Sequence, residues 1–273
     1  MTQTIFITGA STGLGRATAK LFASKGWKVI ATMRTPEKET ELQTIDGITL
    51  LPLDVTNSEQ IKDTVGKALA MGDVTVVFNN AGYGLAGPLE GISEAQIIRQ
   101  FNTNLLGTLL VTKAFLPYFR EKRAGMFITT TSIGGHVTFP LNSVYHATKW
   151  GLEGWSESMS FELSKFGITM KTIAPGGIST DFGSRSLDMG LHEAYNEITG
   201  KVMSVFSNPE RRAKQSTAEQ IAEVVYEAAT DGKMQHRYIA GFDAKAYYAQ
   251  RQQAGDDAFR KRVDVLFFGE SNL

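Results

Sequence analysis

Apolar positions along this chain fall into short runs that alternate with helix-spaced ones. Thr4-Ile5-Phe6-Ile7 is a short apolar run that reads as a buried strand. It breaks at Gly9, Gly13 and Gly15, after which Ala17, Leu21 and Phe22 recur at helical spacing as far as Lys25-Gly26. Further strands are expected over 28–33, 48–53, 74–78, 126–131, 169–174 and 237–239. Helices are expected over 58–71, over 102–122 with an interruption at Pro117, over 144–166 and over 217–230. Asn57 or Ser58 is the expected cap of the first of these, and Ser216 or Thr217 followed by Glu219 and Gln220 reads as a capping box. Residues 181–215 lack strand character and read as an inserted helical flap, and 243–273 as a helical, polar and aromatic tail.

Repeated strand–helix units of this length imply an α/β fold, a doubly wound, Rossmann-like parallel sheet of about seven strands with helices on both faces. With no internal repeat, low-complexity tract or linker, residues 1–273 read as one domain. In such a sheet ligands bind beyond the carboxyl ends of the strands. The informative patches sit there: Gly9 to Gly15, Asp54, Asn79 to Gly82, Ser132, and Pro175 to Thr180. Gly can take positive φ and has no Cβ, so the first patch lets backbone approach a pyrophosphate while the helix-start amides face its charge. The spacing is Gly-x-x-x-Gly-x-Gly rather than Gly-x-Gly-x-x-Gly.

Charge and composition narrow the classes. Lys+Arg and Asp+Glu both number 28 in 273 residues, so nothing pulls the chain toward nucleic acid or an acidic membrane. The absence of cysteine excludes disulfides, thiol catalysis and Cys-ligated zinc. The four histidines show no metal-ligand spacing, and His146 reads as a helix-surface residue, so no metal is expected. No apolar run approaches the roughly 20 residues of a membrane span, and no signal peptide is apparent, so a cytoplasmic protein is expected. Gly154-Trp155-Ser156-Glu157-Ser158 approximates a nucleophile elbow but lacks the last glycine and lies within a helix.

The decisive chemistry is Tyr145-His146-Ala147-Thr148-Lys149. Residues i and i+4 share a helix face, which sets a phenol beside an ammonium. A positive neighbour lowers a tyrosine pKa, and a phenol so tuned exchanges protons near neutral pH. Ser132, just after a strand, can hydrogen-bond a carbonyl beside that tyrosine. Asn104 in a helix interior is a poor helix former, tolerable where its side chain or a local kink does a job.

In order, Thr8-Gly9-x-x-x-Gly13-x-Gly15, Asn79-Asn80-Ala81-Gly82, Asn104, Ser132, Tyr145-x-x-x-Lys149 and Pro175-Gly176 with Thr180 resemble the short-chain dehydrogenase/reductase family. The resemblance is close over residues 2 to about 180 and loose beyond. It implies Tyr145 as the general acid or base, with Lys149 lowering its pKa and holding the nicotinamide ribose. It implies Ser132 as the carbonyl-positioning group, and Asn104 as support for a water that links Lys149 to solvent. Gly9, Gly13 and Gly15 would border the pyrophosphate, Asp54 the adenine, Asn80 the adenosine side, and Ile178 and Thr180 the carboxamide. Ser11, Thr12, Leu14, Val55, Ala81, Gly82, Pro175 and Gly176 would complete the cofactor contacts.

The implied activity is hydride transfer between NADP(H) and a carbonyl or alcohol. A sugar-nucleotide epimerase or dehydratase and a non-catalytic nucleotide sensor are the alternatives. NADP(H) is favoured over NAD(H) because the second strand ends Met33-Arg34, with no acid before Glu37 to meet a ribose 2′-hydroxyl. A guanidinium there can pair with a 2′-phosphate. Thr12 runs slightly against this, since many NADP-dependent relatives carry a basic residue at that place. Apolar residues in the flap and at Val137, Phe139 and Phe182 suggest a lipophilic ketone or aldehyde, loosely as in the retinol and 17β-hydroxysteroid dehydrogenase-like group. Leu105, Leu109, Trp150 and Trp155 on the two long helices suggest a homodimer or homotetramer.

Overall fold

A computed structural model of the chain describes residues 3–179, 187–271 and 273. Seven strands form one parallel sheet: β1 (Thr4–Ile7), β2 (Lys28–Met33), β3 (Ile48–Pro52), β4 (Val76–Asn79), β6 (Gly125–Thr130), β7 (Ile168–Pro175) and β9 (Arg237–Ala240). Their order is β3-β2-β1-β4-β6-β7-β9. The chain winds outward from β1 on one side and from β4 on the other, so the order reverses between these two strands. That reversal opens a crevice at their carboxyl ends, where such sheets bind ligands.

Both faces of the sheet are covered, which is why its strands are nearly continuous in apolar residues. Ile5 and Ile7 on β1 point to one side and join a core with Leu14, Ala17 and Phe22 of α1 (Gly13–Ser24) and with Ile221, Ala222 and Val225 of α8 (Ala218–Thr230). Phe6, between them, points to the other side. There it meets Ile61 and Val65 of α2 (Ser58–Ala70), Val111, Phe115 and Phe119 of α4 (Gly107–Lys122), and Leu163 at the end of α5 (Ser143–Leu163). The Phe6 and Phe115 rings meet edge to face at 4.9 Å.

The expected elements are present with ends displaced by a few residues. Asn57 is the α2 cap, its Oδ1 accepting from the amides of Glu59 and Gln60 at 3.1 and 3.0 Å. Thr217 and Gln220 close the capping box of α8. Pro117 does not interrupt its helix. Pro117 and Lys113, whose carbonyl loses its helical donor, are both exposed, so water can replace that bond. The irregularity lies upstream, where Asn102–Leu106 form a π turn between α3 (Glu94–Phe101) and α4. Helix α3 escapes the sequence pattern by its shortness, although Ser93 and Gln96 form a capping box at its start.

The flap differs from expectation in one respect. Its residues Leu187–Met189 form a strand, β8, paired in parallel with β5 (Gly84–Ala86) in a separate two-stranded sheet. Gln96 of α3 donates to Asp188 Oδ1 at 2.9 Å and Arg99 pairs with the same carboxylate, which moors the flap to α3. Strands of three residues, one bearing glycine, have no pattern of their own.

After β8 the flap continues as α6 (Asn196–Ser207) and α7 (Pro209–Arg212), and the tail as α9 (Phe242–Ala254) and α10 (Asp256–Phe268). These pieces meet around the Arg211 guanidinium, which lies 4.9 Å from the Phe206 ring centroid, 5.6 Å from Phe139 and Tyr247, and 5.7 Å from Phe267. One residue from each of α6, α9 and α10, and one from the loop after β6, thus close on a single cation. Among the described residues no helix is long and apolar enough to cross a membrane.

Candidate active site

The turn after β1 is built by close backbone approach. Gly9 and Gly13 hold φ of +67° and +53°, which side chains other than glycine disfavour. A Cβ on Gly9 would lie 2.8 Å from Ala81 Cα, and one on Gly15 would overlap the Gly9 carbonyl oxygen and come within 2.6 Å of Asn80 Nδ2. Helix α1 therefore starts against the tip of β4. Thr12 makes no side-chain cap, and no acidic residue occupies the first turn. The first-turn amides thus lack intrahelical acceptors, with Ser11 exposed and Leu14 buried beside them. A pyrophosphate suits this cradle in space and in charge.

Asn80 holds the strand tips together. Its Nδ2 donates to the carbonyls of Thr8 and Gly9 at 3.1 and 3.2 Å, and its Oδ1 accepts from Thr130 Oγ1 at 3.3 Å. Thr8 Oγ1 in turn accepts from the amides of Asn80 and Ala81 at 2.9 and 3.0 Å. The Asn80 side chain is thus spent within the protein. Val55 is similar: it is buried, and a Cβ on Gly107 would lie 2.8 Å from its Cγ2. Asp54 Oδ1 accepts from the amide and hydroxyl of Thr56, at 2.9 and 2.7 Å. At the end of β2, Arg34 is exposed and makes no ion pair or hydrogen bond among the described residues. Arg16, by contrast, is committed to Glu39 and Glu41.

Ser132, Tyr145, Lys149 and Asn104 come together from three elements. Ser132 directly follows β6, and its Oγ accepts from the Gly134 amide at 3.0 Å. Tyr145 and Lys149 lie on one face of α5, with the ammonium 5.7 Å from the ring centroid. Lys149 is 6 % exposed and donates to the Thr130 carbonyl at 3.0 Å. Burial drives its pKa down to about 8, against the pull of the Glu153 carboxylate. Tyr145 departs from expectation: burial pushes its pKa up, and the hydrogen bond from the Ser132 hydroxyl only partly offsets this. Asn104 sits in the π turn, where its Oδ1 accepts from the Tyr83 amide at 3.0 Å and its Nδ2 donates to the Tyr83 carbonyl at 2.9 Å. A Cβ on Gly82 would lie 3.2 Å from that Oδ1.

The loop after β7 closes the crevice. Gly176 donates to the Ala240 carbonyl at 3.0 Å and Gly177 to Asp243 Oδ2 at 2.8 Å. A Cβ on Gly176 would overlap the Asp243 carboxylate. Ile178 bridges to Ser216 and packs on the first core. Thr180 and Phe182 lie outside the described residues.

A family model described as short chain dehydrogenase matches residues 3–189. The chain belongs to the short-chain dehydrogenase/reductase family. An uncharacterised oxidoreductase of Schizosaccharomyces pombe is 37% identical over 83% of this chain and 96% of its own length. A 3-ketodihydrosphingosine reductase of Bacteroides thetaiotaomicron is 35% identical over 77% of each chain. Human retinol dehydrogenase 8 is 35% identical over 68% of this chain and 62% of its own. Among solved structures, a short-chain dehydrogenase of Streptomyces avermitilis superimposes with a TM-score of 0.83 at 30% identity, covering 92% of each chain. ElxO with NADP bound gives 0.75 at 26% identity over 90% of this chain and 100% of its own.

In this short-chain dehydrogenase the expected substrate wall divides. Val137 is wholly buried with Ile133, Ala244 and Phe259, so it belongs to the packing of the tail and not to a wall. Its apolar character served the core, which sequence cannot tell from a pocket. Phe139 is partly exposed and packs on His146, the two ring centroids 6.2 Å apart. The neighbouring Leu141 holds φ of +61°, its carbonyl accepting from the Gly87 amide at 2.7 Å. His146 is not a surface residue: it is 6 % exposed, and a Cβ on Gly134 would lie 2.8 Å from its Cδ2. Sequence reading placed Thr8 in the glycine motif without its hydrogen-bonding role, and missed Thr130 and Asp243, which hold the loops by hydrogen bonds.

Burial lowers the His146 pKa to about 4. The folded protein keeps this imidazole neutral, while the unfolded chain takes up a proton below its usual value near 6.5. The resulting stability is complete above that value and is lost as pH falls toward about 4. The full effect is on the order of 3 kcal/mol. The wild-type melting temperature is expected to fall more steeply between these values than that of His146→Phe. Parallel curves would mean that His146 titrates alike in both states.

Proposed function

We propose that this oxidoreductase transfers hydride between NADP(H) and a lipophilic ketone, aldehyde or the corresponding alcohol, with Tyr145 exchanging the proton. The observation that carries the reading is the convergence of Ser132, Tyr145 and Lys149 at the carboxyl ends of β6 and its neighbours, beside a glycine cradle fit for a dinucleotide. When bound, the nicotinamide supplies or accepts the hydride. The protein's own part is orientation and the proton. Gly9, Gly13 and Gly15 would admit the pyrophosphate to the first-turn amides of α1, with Ala81, Gly82, Asp54 and the backbone at Val55 bordering the cofactor. Lys149 would hold the ribose hydroxyls, Ile178 would border the carboxamide, and Pro175 and Gly176 would complete the cofactor contacts. In reduction Ser132 Oγ holds the carbonyl oxygen and the Tyr145 hydroxyl donates its proton to it. A phenol kept protonated by burial suits that direction. The Asn104 side chain is spent on Tyr83, and its main-chain carbonyl accepts from Thr108 Oγ1 at 3.2 Å, so a water linking Lys149 to solvent would take that carbonyl's second lone pair.

NADP(H) is favoured by Arg34, exposed and without a partner among the described residues, and by the NADP bound in the similar ElxO structure. A lipophilic carbonyl is favoured by the aromatic surface at Phe139 and by the ketodihydrosphingosine reductase and retinol dehydrogenase among the relatives. Trp150 and Phe161 on α5, 43 % and 69 % exposed, and Leu106 before α4 leave an apolar face that a second copy of the chain can cover.

Proton transfer, cofactor choice and assembly are tested separately. Tyr145→Phe is expected to bind NADPH normally and to lower kcat about 10²- to 10⁴-fold with any carbonyl substrate found by following NADPH absorbance. Turnover near wild type would sink the assignment. Arg34→Asp is expected to cut the NADPH-over-NADH preference in kcat/KM by about 10- to 100-fold, since a charge-assisted pair to the 2′-phosphate is lost. A wild-type preference for NADH would refute the cofactor assignment. Light scattering at micromolar concentration is expected to give a dimer or tetramer, and a monomer mass would refute the helical interface.

A further inference from the structure

One turn beyond Lys149, α5 buries a carboxylate that the mechanism above does not use. Glu153 is 4 % exposed, at a position where an apolar side chain would fill the space without the cost of burying a charge. Its Oε2 accepts from Arg237 Nε of β9 at 2.9 Å and from Thr172 Oγ1 of β7 at 3.4 Å. Its Oε1 lies 3.1 Å from His136 Nε2, close but poorly aligned for a hydrogen bond. His136 ends the short turn that begins at Ser132. Gly135 in that turn lies against α5, where a Cβ would come 2.9 Å from the Lys149 carbonyl and 3.0 Å from Glu153 Cγ. Glu153 therefore touches the segments that carry Ser132 and Lys149.

The charges around it leave a surplus. Arg237 faces two carboxylates, Glu153 and the half-exposed Glu157 at 3.3 Å. The other groups near the cluster are the Thr131 hydroxyl that follows β6, the Tyr248 ring of α9 against His136, and Tyr145 and Lys149 on α5 itself. Among the described residues Lys149 is the remaining cation, one helical turn away, and its ammonium is hydrogen-bonded only to the neutral Thr130 carbonyl.

We propose that Glu153 is a positioning residue whose buried negative charge, shared between Arg237 and Lys149, keeps Lys149 an ammonium and fixes the Ser132 turn through His136. The inference rests on the reading of Lys149 as a member of the reacting site. Burial of Glu153 would ordinarily raise its carboxyl pKa, yet contact with His136, Thr131 and Arg237 holds it below the usual range, so it is charged where Lys149 titrates.

The sign of two substitutions separates this role from mere packing. Glu153→Gln removes the negative charge and lowers the Lys149 pKa; Arg237→Gln leaves Glu153 less neutralised and raises it. The probe is the titration of Lys149 in protein labelled with [13C]lysine, the resonance assigned by its loss in Lys149→Met. We expect opposite shifts of roughly half a pH unit or more in the two variants, with Glu153→Asp lying between Glu153→Gln and wild type. Unshifted titration, or shifts of one sign in both, overturns the proposal. If Glu153→Gln does not fold, as judged by circular dichroism, Glu153→Asp decides: a downward shift of the Lys149 titration sustains the proposal, and none or an upward one ends it. NADPH titration of the wild type, followed by fluorescence, tests the cofactor reading separately, since the lysine titration needs no cofactor.

Discussion

The contact on which the rest of the site depends is backbone against backbone at the head of the sheet. Gly15 lies on the Gly9 carbonyl and the Asn80 side-chain amide, at a spacing that no Cβ permits. Because α1 can come that near, Asn80 can reach the carbonyls of Thr8 and Gly9 and also Thr130 Oγ1. The Thr130 carbonyl then receives Lys149. A continuous chain of hydrogen bonds and close contacts thus runs from the glycine turn through the tips of β1, β4 and β6 to the helix that carries Tyr145. Shifting the first contact by an ångström would misplace the last, since packed interiors transmit strain.

Burial then sets the electrostatics. It raises the pKa of Tyr145 and brings Lys149 and His146 down, to about 8 and about 4. The spacing of Tyr145 and Lys149 suggests an ammonium that lowers the phenol. In the folded chain desolvation is the larger effect on both groups, Lys149 being buried and Tyr145 only partly exposed. The surrounding polar groups matter for the same reason. Glu153 acts on Lys149 through a medium that screens poorly.

The far wall is built differently. Phe139, Phe206, Tyr247 and Phe267 come from four separate segments and meet around Arg211, whose Nη1 is buried without a hydrogen-bond partner among the described residues. Flap and tail are thereby joined over the loop that follows Ser132. That loop also carries His146's neighbour Phe139, so the tail bears on the reacting side of the molecule through packing alone.

The sequence by itself determined the α/β class, the succession of strands and helices along the chain, the glycine turn and the Tyr145–Lys149 pair. These are local features: apolar runs, glycine spacing and an i, i+4 face are written in consecutive residues and need no partner to be read. Asn104 was legible because asparagine is out of place in a helix, and the π turn there explains it. Tertiary structure alone decided what depends on distant neighbours. Val137 became core rather than wall, and His146 a buried residue rather than a surface one. Leu187–Met189 became a strand only by meeting Gly84–Ala86. Glu153, Arg237 and His136 are unremarked charges in the sequence, separated by up to about a hundred positions, and the fold makes them one cluster. Burial and long-range pairing are properties of the packed chain, and no stretch of residues contains them.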